Sequence, residues 1–526
     1  MNDGQAETRI DDDSTSEAWS DYQFWSQRAL SGDLLAAATN LTKLLQKVGD
    51  RTLKARIIND LGVLATSRGD YGVARQEFQK AQSLDPDWPV PQGNLRLLSD
   101  IDYDHNQYSS PSPRSRQTRV AILSLLFNWP STGGGTVHTA ELARFLARAG
   151  YDVRHFVVRY SAWSIGQVVD AVDWPIEPLE FTATDWNRNT IQERTREAVD
   201  RFAPDSVIIT DSWNFKPRLA EALAGHRYFL RLAAQECLCP LNNVRLLWDS
   251  RNAPQACPRH QLASPQACSE CVVRRGNWSG SLHQAERSLA GFEEPSYDIC
   301  LRKAFADAAG ILVVNPLIAE MVKPHAPAVH VVPSGFDPRR FATGFTRAER
   351  RGPVKILFAG LVNEAMKGFR VLHSACRDLW TRRQDFRLLA TADPPGSMDE
   401  FTELIGWQSQ ADLPAVMQAV DIVVCPTIAE EALGRTAVEA MGAGRPVIAS
   451  RIGGLPFAIL DEATGLLCEP ADPIDLQRQI VRLLDSPQLR EQLGQAGRQR
   501  FIQHYTWDVM LERHYKKLLG LPIRAV

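Results

Sequence analysis

Two series of short apolar runs, each alternating with amphipathic stretches, constrain this chain more than any other feature. The first begins with RVAILSLLF and TAELARFLARAG and continues through DVRHFVV, DSVIITD, AGILVVN and HVVPSG. The second begins at KILFAG and continues with FRLLATA, DIVVCP and PVIAS. Such alternation predicts parallel sheets in α/β domains, because parallel neighbours must be joined by a crossover, usually a helix. The series divide near Gly335, so two doubly wound domains are expected, at 118–334 and 335–505, facing across a cleft. Ligands of such sheets bind beyond the carboxyl ends of the strands, so the loops after the strands are where chemistry is sought.

A chain of 526 residues has room for a further domain before these two. Residues 1–14 are polar and acidic and are expected to be disordered. From Thr15 to Asp100 the pattern is helical. Counting Ala55 as one, Leu61, Gly62, Ala74, Phe78, Ala81 and Pro86 fall at positions 7, 8, 20, 24, 27 and 32. That spacing resembles the tetratricopeptide repeat, of about 34 residues. Its small residues let two antiparallel helices approach closely, and Pro86 stops the second. A weaker helical pair precedes it at 18–50, and PQGNLRLLSD starts a further helix. One good repeat does not make an independent solenoid, so a short array for protein contact or a small helical bundle is expected. The stretch 101–117, rich in Ser, Pro and Arg, reads as a linker.

The net charge of −3 carries no basic footprint of the kind nucleic-acid binding needs. No run approaches the roughly 18 apolar residues of a membrane span. The N-terminus has neither a basic region nor an apolar one, so it does not read as a secretory signal. A cytoplasmic location is expected, with association at the inner membrane surface left open.

Three strand-end loops carry chemistry. Gly133, Gly134 and Gly135 lie between the first strand and its helix, where bare backbone can approach a ligand and helix-start amides suit a phosphate; Thr136 is expected to cap that helix. Lys367 and Gly368 follow the strand KILFAG and open a helix, where a lysine acts as a point charge on phosphate. The stretch EEALGRTAVEAMGAGRPVIAS, from Glu430 to Ser450, puts Glu431 and Glu439 around a helix expected from Gly434 or Arg435 to about Gly442. Eight helical residues turn through about 800°, so the two carboxylates would be offset by about 80° rather than stacked. Glu431 is expected in the loop and Glu439 in the helix, with the amides of Leu433, Gly434 and Arg435 between them as unpaired helix-start donors. Carboxylates accept from sugar hydroxyls while the amides take phosphate. Glu430 reads as an ordinary solvated charge.

In company, these features resemble the large family of retaining, nucleotide-sugar-dependent glycosyltransferases of group 1, with the GT-B fold of two Rossmann-like domains. The resemblance covers about residues 118–520. It includes the Gly-rich first loop, VVPSGFDPRRF, the KG at 367–368, GWQSQADLPAVMQAVDIVVCPT, and the E-x7-E stretch running into SRIGGLP. The terminal FIQHYTWDVMLERHYKKLL resembles the family's closing helix, so 506–526 is expected to pack back on the first domain. The resemblance implies that Glu431 binds donor-sugar hydroxyls, Glu439 the ribose hydroxyls and Lys367 the diphosphate, with Gly134 and Gly135 near the phosphate or acceptor. Glu431 and Lys367 would be the catalytic pair. No metal or other cofactor is implied for catalysis, since lysine, amides and helix ends stabilise the leaving group. Retention of configuration is implied, through front-face attack assisted by the leaving phosphate.

The chain departs from the family at three places: Leu361 stands where an Arg is common, Phe457 follows GGLP where an acid is common, and Gln235–Glu236 stand in place of a His–acid pair. The insertion at 237–276 carries Cys237, Cys239, Cys257, Cys268 and Cys271. Cys239, Cys257, Cys268 and Cys271 are candidates for a four-thiolate site for structural zinc, with His260 or Cys237 as substitutes; the alternative is buried or free thiols in a loop. The leading expectation is transfer of a sugar from a nucleotide-diphosphate sugar to a glycan or lipid-linked acceptor, as in polysaccharide biosynthesis. The alternatives are a protein glycosyltransferase whose helical repeats hold the acceptor or another protein partner, and a non-catalytic scaffold with a degenerate core.

Overall fold

A computed structural model describes residues 12–30, 34–67, 71–106, 115–131, 133–170, 172–248, 254–276, 279–341 and 352–525. The chain divides into two compact units, Met1–Ser115 and Arg116–Val526.

The first unit is helical: α1 (Asp12–Leu30), α2 (Leu34–Lys47), α3 (Arg51–Ser67), α4 (Tyr71–Leu84) and α5 (Pro89–Asn106). Asp12 already lies in α1, inside the stretch expected to be disordered; residues 1–11 lie outside the described residues. Asp50 caps α3 by accepting from the Leu53 amide at 2.9 Å. Gly62 is where α3 meets α4, and a Cβ there would stand 2.6 Å from the Phe78 ring. α4 stops at Leu84, ahead of Pro86. The expected linker is shorter than its composition suggests, because α5 runs on to Asn106; residues 107–114 lie outside the described residues.

The second unit holds two seven-stranded sheets. In the first, β1 (Arg119–Ser124), β2 (Asp152–Tyr160), β3 (Ile176–Phe181), β4 (Ser206–Thr210), β5 (Tyr228–Leu232), β6 (Gly310–Val313) and β7 (Val329–Val331) are all parallel, in the order 3-2-1-4-5-6-7. β4 and β5 are buried along their whole lengths, which is why they read as unbroken apolar runs. In the second, β8 (Val354–Phe358), β9 (Phe386–Ala390), β10 (Gly396–Ser397), β11 (Thr402–Leu404), β12 (Ile422–Cys425), β13 (Val447–Ser450) and β14 (Leu466–Cys468) take the order 10-11-9-8-12-13-14. Only the short edge strand β10 is antiparallel. Strand order reverses between β1 and β4 in one sheet and between β8 and β12 in the other. The loops leaving these strands therefore diverge and open a crevice at the carboxyl ends. The helices that follow are α6 (Gly134–Arg148) after β1, α7 (Phe369–Trp380) after β8 and α8 (Arg435–Gly442) after β12.

The chain crosses between the two halves of this unit twice, and the crossings lie side by side. The Phe336 amide donates to the Tyr505 carbonyl at 2.8 Å, and the Trp507 amide to the Phe336 carbonyl at 3.1 Å. Gly335 has no room for a Cβ, which would fall 2.4 Å from the Trp507 indole. Beyond the second crossing, Trp507 stacks on His138 and Phe145 of α6 at 5.3 Å each. Met510, Leu511, Tyr515 and Leu519 join the same core under the first sheet. Among the described residues no helix is long and apolar enough to cross a membrane.

Candidate functional site

The crevice contains a cavity of about 410 Å³. Gly134 and Gly135 line it from the first half, and Lys367, Glu431, Leu433, Gly434, Arg435 and Glu439 from the second. Residues as far apart in sequence as Gly134 and Glu439 thus meet at one place.

Lys367 ends the short turn Ala365–Lys367, and its ammonium bonds the Glu431 carboxylate at 2.6 Å. Burial alone would lower the lysine's pKa; the adjacent Glu431 carboxylate outweighs it, and the net shift is upward. The lysine is therefore cationic at neutral pH. The turn is possible because Gly368 has φ +74° and because a Cβ there would lie 1.8 Å from the Pro426 carbonyl oxygen. Met366 is stitched to the neighbouring loop: its carbonyl accepts from the Ile428 amide at 2.9 Å and the Thr427 hydroxyl at 2.8 Å.

α8 starts at Arg435, with Gly434 at φ +76° before it and no side chain capping it. Among the described residues nothing accepts from the amides of Leu433, Gly434, Arg435 or Thr436. The residues that carry them line the cavity together with Lys367, and a lysine beside a helix start suits an anion. Glu431 lies in the loop, as the spacing predicts. The Gly454 amide donates to its carbonyl at 2.6 Å, an approach that leaves no space for side chains at Gly453 or Gly454. This is the local reason for GGLP.

Glu439 is 3 % exposed and belongs to a cluster that sequence reasoning missed. Arg340 lies 3.4 Å from its carboxylate, and Arg435 3.8 Å. Glu141 of α6 completes the group, 3.2 Å from Arg435 and 3.6 Å from Arg340. Burial raises the Glu141 pKa, opposed by Arg435 and Arg340. Two carboxylates and two guanidiniums thereby join both halves behind the cavity. Gly134 belongs to the same junction, since a Cβ there would stand 2.9 Å from the Arg435 side chain.

Two expectations are corrected. Thr136 does not cap α6; it lies within the helix and donates to Asp211 at 3.0 Å. Glu430 is not a solvated charge: it accepts from Gln235 at 2.6 Å and lies 3.8 Å from Arg245, both in the first half. Neither partner is signalled by local sequence. Of the family departures, Leu361 lines the cavity, whereas Phe457 and Gln235 are not among its lining residues.

Cys239, Cys257, Cys268 and Cys271 line a second cavity of about 220 Å³, and all four are free thiols. Among the described residues no group of three or more His, Cys, Asp or Glu side chains is placed to hold a metal ion. His260 is not among the residues lining this cavity, and Cys237 is buried against the Trp213 carbonyl.

Residues 353–486 match the family model "Glycosyl transferases group 1". The chain is 30 % identical over 421 residues to MMP alpha-(1->4)-mannosyltransferase of Mycolicibacterium hassiacum, covering 74 % of this chain and 95 % of that one. It is also 30 % identical over 270 residues to 2-deoxystreptamine glucosyltransferase of Streptomyces kanamyceticus, covering 46 % and 68 %. Against D-inositol 3-phosphate glycosyltransferase of Corynebacterium diphtheriae, 28 % identical, the match covers 46 % of this chain and 63 % of the relative's length. Among solved structures, sucrose-phosphate synthase of Thermosynechococcus elongatus superposes with a TM-score of 0.54 at 18 % identity, over 77 % of this chain and all of that one. HepE of Anabaena, in complex with UDP and glucose, gives 0.52 at 15 % identity with the same coverage. These likenesses concern the fold, that of GT-B transferases.

Proposed function

The chain belongs to the group 1 glycosyltransferases, and from that premise we propose that it is a retaining transferase taking a sugar from a nucleotide-diphosphate sugar to a glycan or lipid-linked acceptor. One observation carries the reading: Lys367 is bonded to Glu431 at 2.6 Å beside the unpaired amides at the start of α8. The ammonium and amides would take the charge that develops on the leaving diphosphate, and such preorganised donors contribute most in a site screened from water. Glu431, bonded on one oxygen to Lys367, has its other oxygen for sugar hydroxyls. Glu439, buried and held by two arginines, would accept from ribose hydroxyls. Gly135 would leave its backbone open to the phosphate or acceptor, and Gly134 would do so as well as making room for Arg435. No step here uses a metal.

The test is a thermal-shift screen of UDP-, GDP- and ADP-sugars on the wild type and Glu439→Gln, a substitution that keeps the side-chain shape beside Arg340 and Arg435. One base family should stabilise the wild type, and the substitution should abolish the shift. A shift that survives in the variant defeats the ribose assignment; no shift with any nucleotide sugar defeats the donor reading.

A further inference from the structure

We infer that Gln235 and Asn315, both in the first half of the second unit, are positioning residues for Glu431, so that the donor-site geometry is complete only while the two halves are closed on each other. The inference rests on the function proposed above. Glu431 lies midway along the loop between β12 and α8, and each of its chain neighbours is tied to the opposite half. Before it, the Glu430 carboxylate accepts from the Gln235 side-chain amide at 2.6 Å. Gln235 is itself buried, and its backbone amide donates to the Asn243 carbonyl at 3.1 Å. After it, the Ala432 carbonyl accepts from the Asn315 side-chain amide at 2.6 Å. Asn315 cannot rotate freely, because its side-chain oxygen caps the helix Pro316–Val322 by accepting from the Ile318 amide at 2.9 Å.

The loop's own half makes the third attachment, from the Gly454 amide to the Glu431 carbonyl at 2.6 Å. Three short bonds on three consecutive residues hold the backbone from which the Glu431 side chain reaches Lys367. Two of the three break if the halves separate. The donor carboxylate is thus set by the half that does not carry it. Closure is thereby coupled to catalysis through hydrogen bonds rather than through apolar packing alone.

Two substitutions reverse donor to acceptor with little change of shape. Asn315→Asp keeps the helix cap, since Asp and Asn cap equally well, but turns a carboxylate oxygen toward the Ala432 carbonyl. Gln235→Glu opposes Glu430, and adding Glu430→Gln restores the bond with its polarity exchanged. Amide hydrogen exchange at Ile428, Glu431 and Gly454, whose amides are bonded within this loop or onto it, and steady-state donor turnover are measured on the full chain. Each single variant should speed exchange of that loop by about 10- to 100-fold, the size of a lost hydrogen bond to a charged group or a strong carbonyl. Each should lower kcat by a similar factor while the donor KM stays within about threefold. The double variant should return both toward wild type.

Unchanged loop exchange in the single variants overturns the inference. So does faster exchange with unchanged kcat, or a double variant that restores neither. Exchange is read without substrate. A wild type that turns over no nucleotide sugar would therefore defeat the proposed function, while loop exchange would still decide whether the anchors hold Glu431.

Discussion

Lys367→Met separates a residue kept for chemistry from one kept for folding. Its ammonium bonds Glu431 at 2.6 Å, yet the two side chains are 35 % and 25 % exposed, so water can solvate Glu431 once the ammonium is gone. The stability cost is therefore that of a partly exposed ion pair, about 0.5–1 kcal/mol, and the melting temperature should fall by only about 1–3 °C. The methionine stem retains the packing of the lysine chain. In the reaction the same ammonium faces a diphosphate that gains negative charge as the glycosidic bond breaks. Removing one preorganised donor from such a site costs about 2.7–4 kcal/mol, or roughly 10²- to 10³-fold in kcat. The assay is donor turnover with the nucleotide sugar that most stabilises the wild type, beside a thermal melt without ligand. A variant with near-wild-type kcat would refute the role of Lys367 as leaving-group stabiliser. A melting temperature lowered by 10 °C or more (about 3 kcal/mol or above) would show that its main work is structural.

Three further outcomes follow from the geometry. Gly368→Ala should lower stability and nucleotide-sugar binding together, because the left-handed backbone costs about 1–2 kcal/mol and the new Cβ, 1.8 Å from the Pro426 carbonyl oxygen, must push the Lys367 turn off the β12 loop; a thermal melt with and without ligand reads both, and an unchanged ligand shift counts against the coupling. Gly62→Ala should destabilise the helical unit by about 1–2 kcal/mol, since overlap with the Phe78 ring exceeds the gain of about 1 kcal/mol in helix propensity, and a rise in stability by circular dichroism would show that the helices can move apart. His155 is buried between Ser124 and Trp174, and burial pushes its pKa down to about 3. A depressed folded-state pKa means stability present above about pH 6.5 and lost as pH falls toward 3, so the wild type should lose about 2 kcal/mol more than His155→Gln between pH 7 and pH 5, with equal losses in urea melts counting against a neutral buried imidazole.

Several site features were legible because the physics that creates them is local. Strand and helix periods act over a few residues, so the main strands of both sheets and the start of α8 could be read directly from the chain. The same holds for Gly368 and Gly434, whose positive φ values sit where a strand-end loop turns into a helix. The placement of Glu431 in a loop and Glu439 in a helix also follows from spacing alone.

What escaped were partners chosen by topology. Glu430 reads as a surface charge until β5 and β12 bring Gln235 to it from 195 positions away. Glu439 reads as a carboxylate without protein partners until Arg340 and Glu141 prove to form one charge cluster with it. Thr136 reads as a helix cap until β4 ends beside it with Asp211. The sequence by itself determined which segments become strands and helices, and where bare backbone and charge stand at their ends. Only the tertiary structure decided which charges line the cavity and which bind the two halves to each other, because that depends on contacts between residues hundreds of positions apart, beyond the reach of any local periodicity.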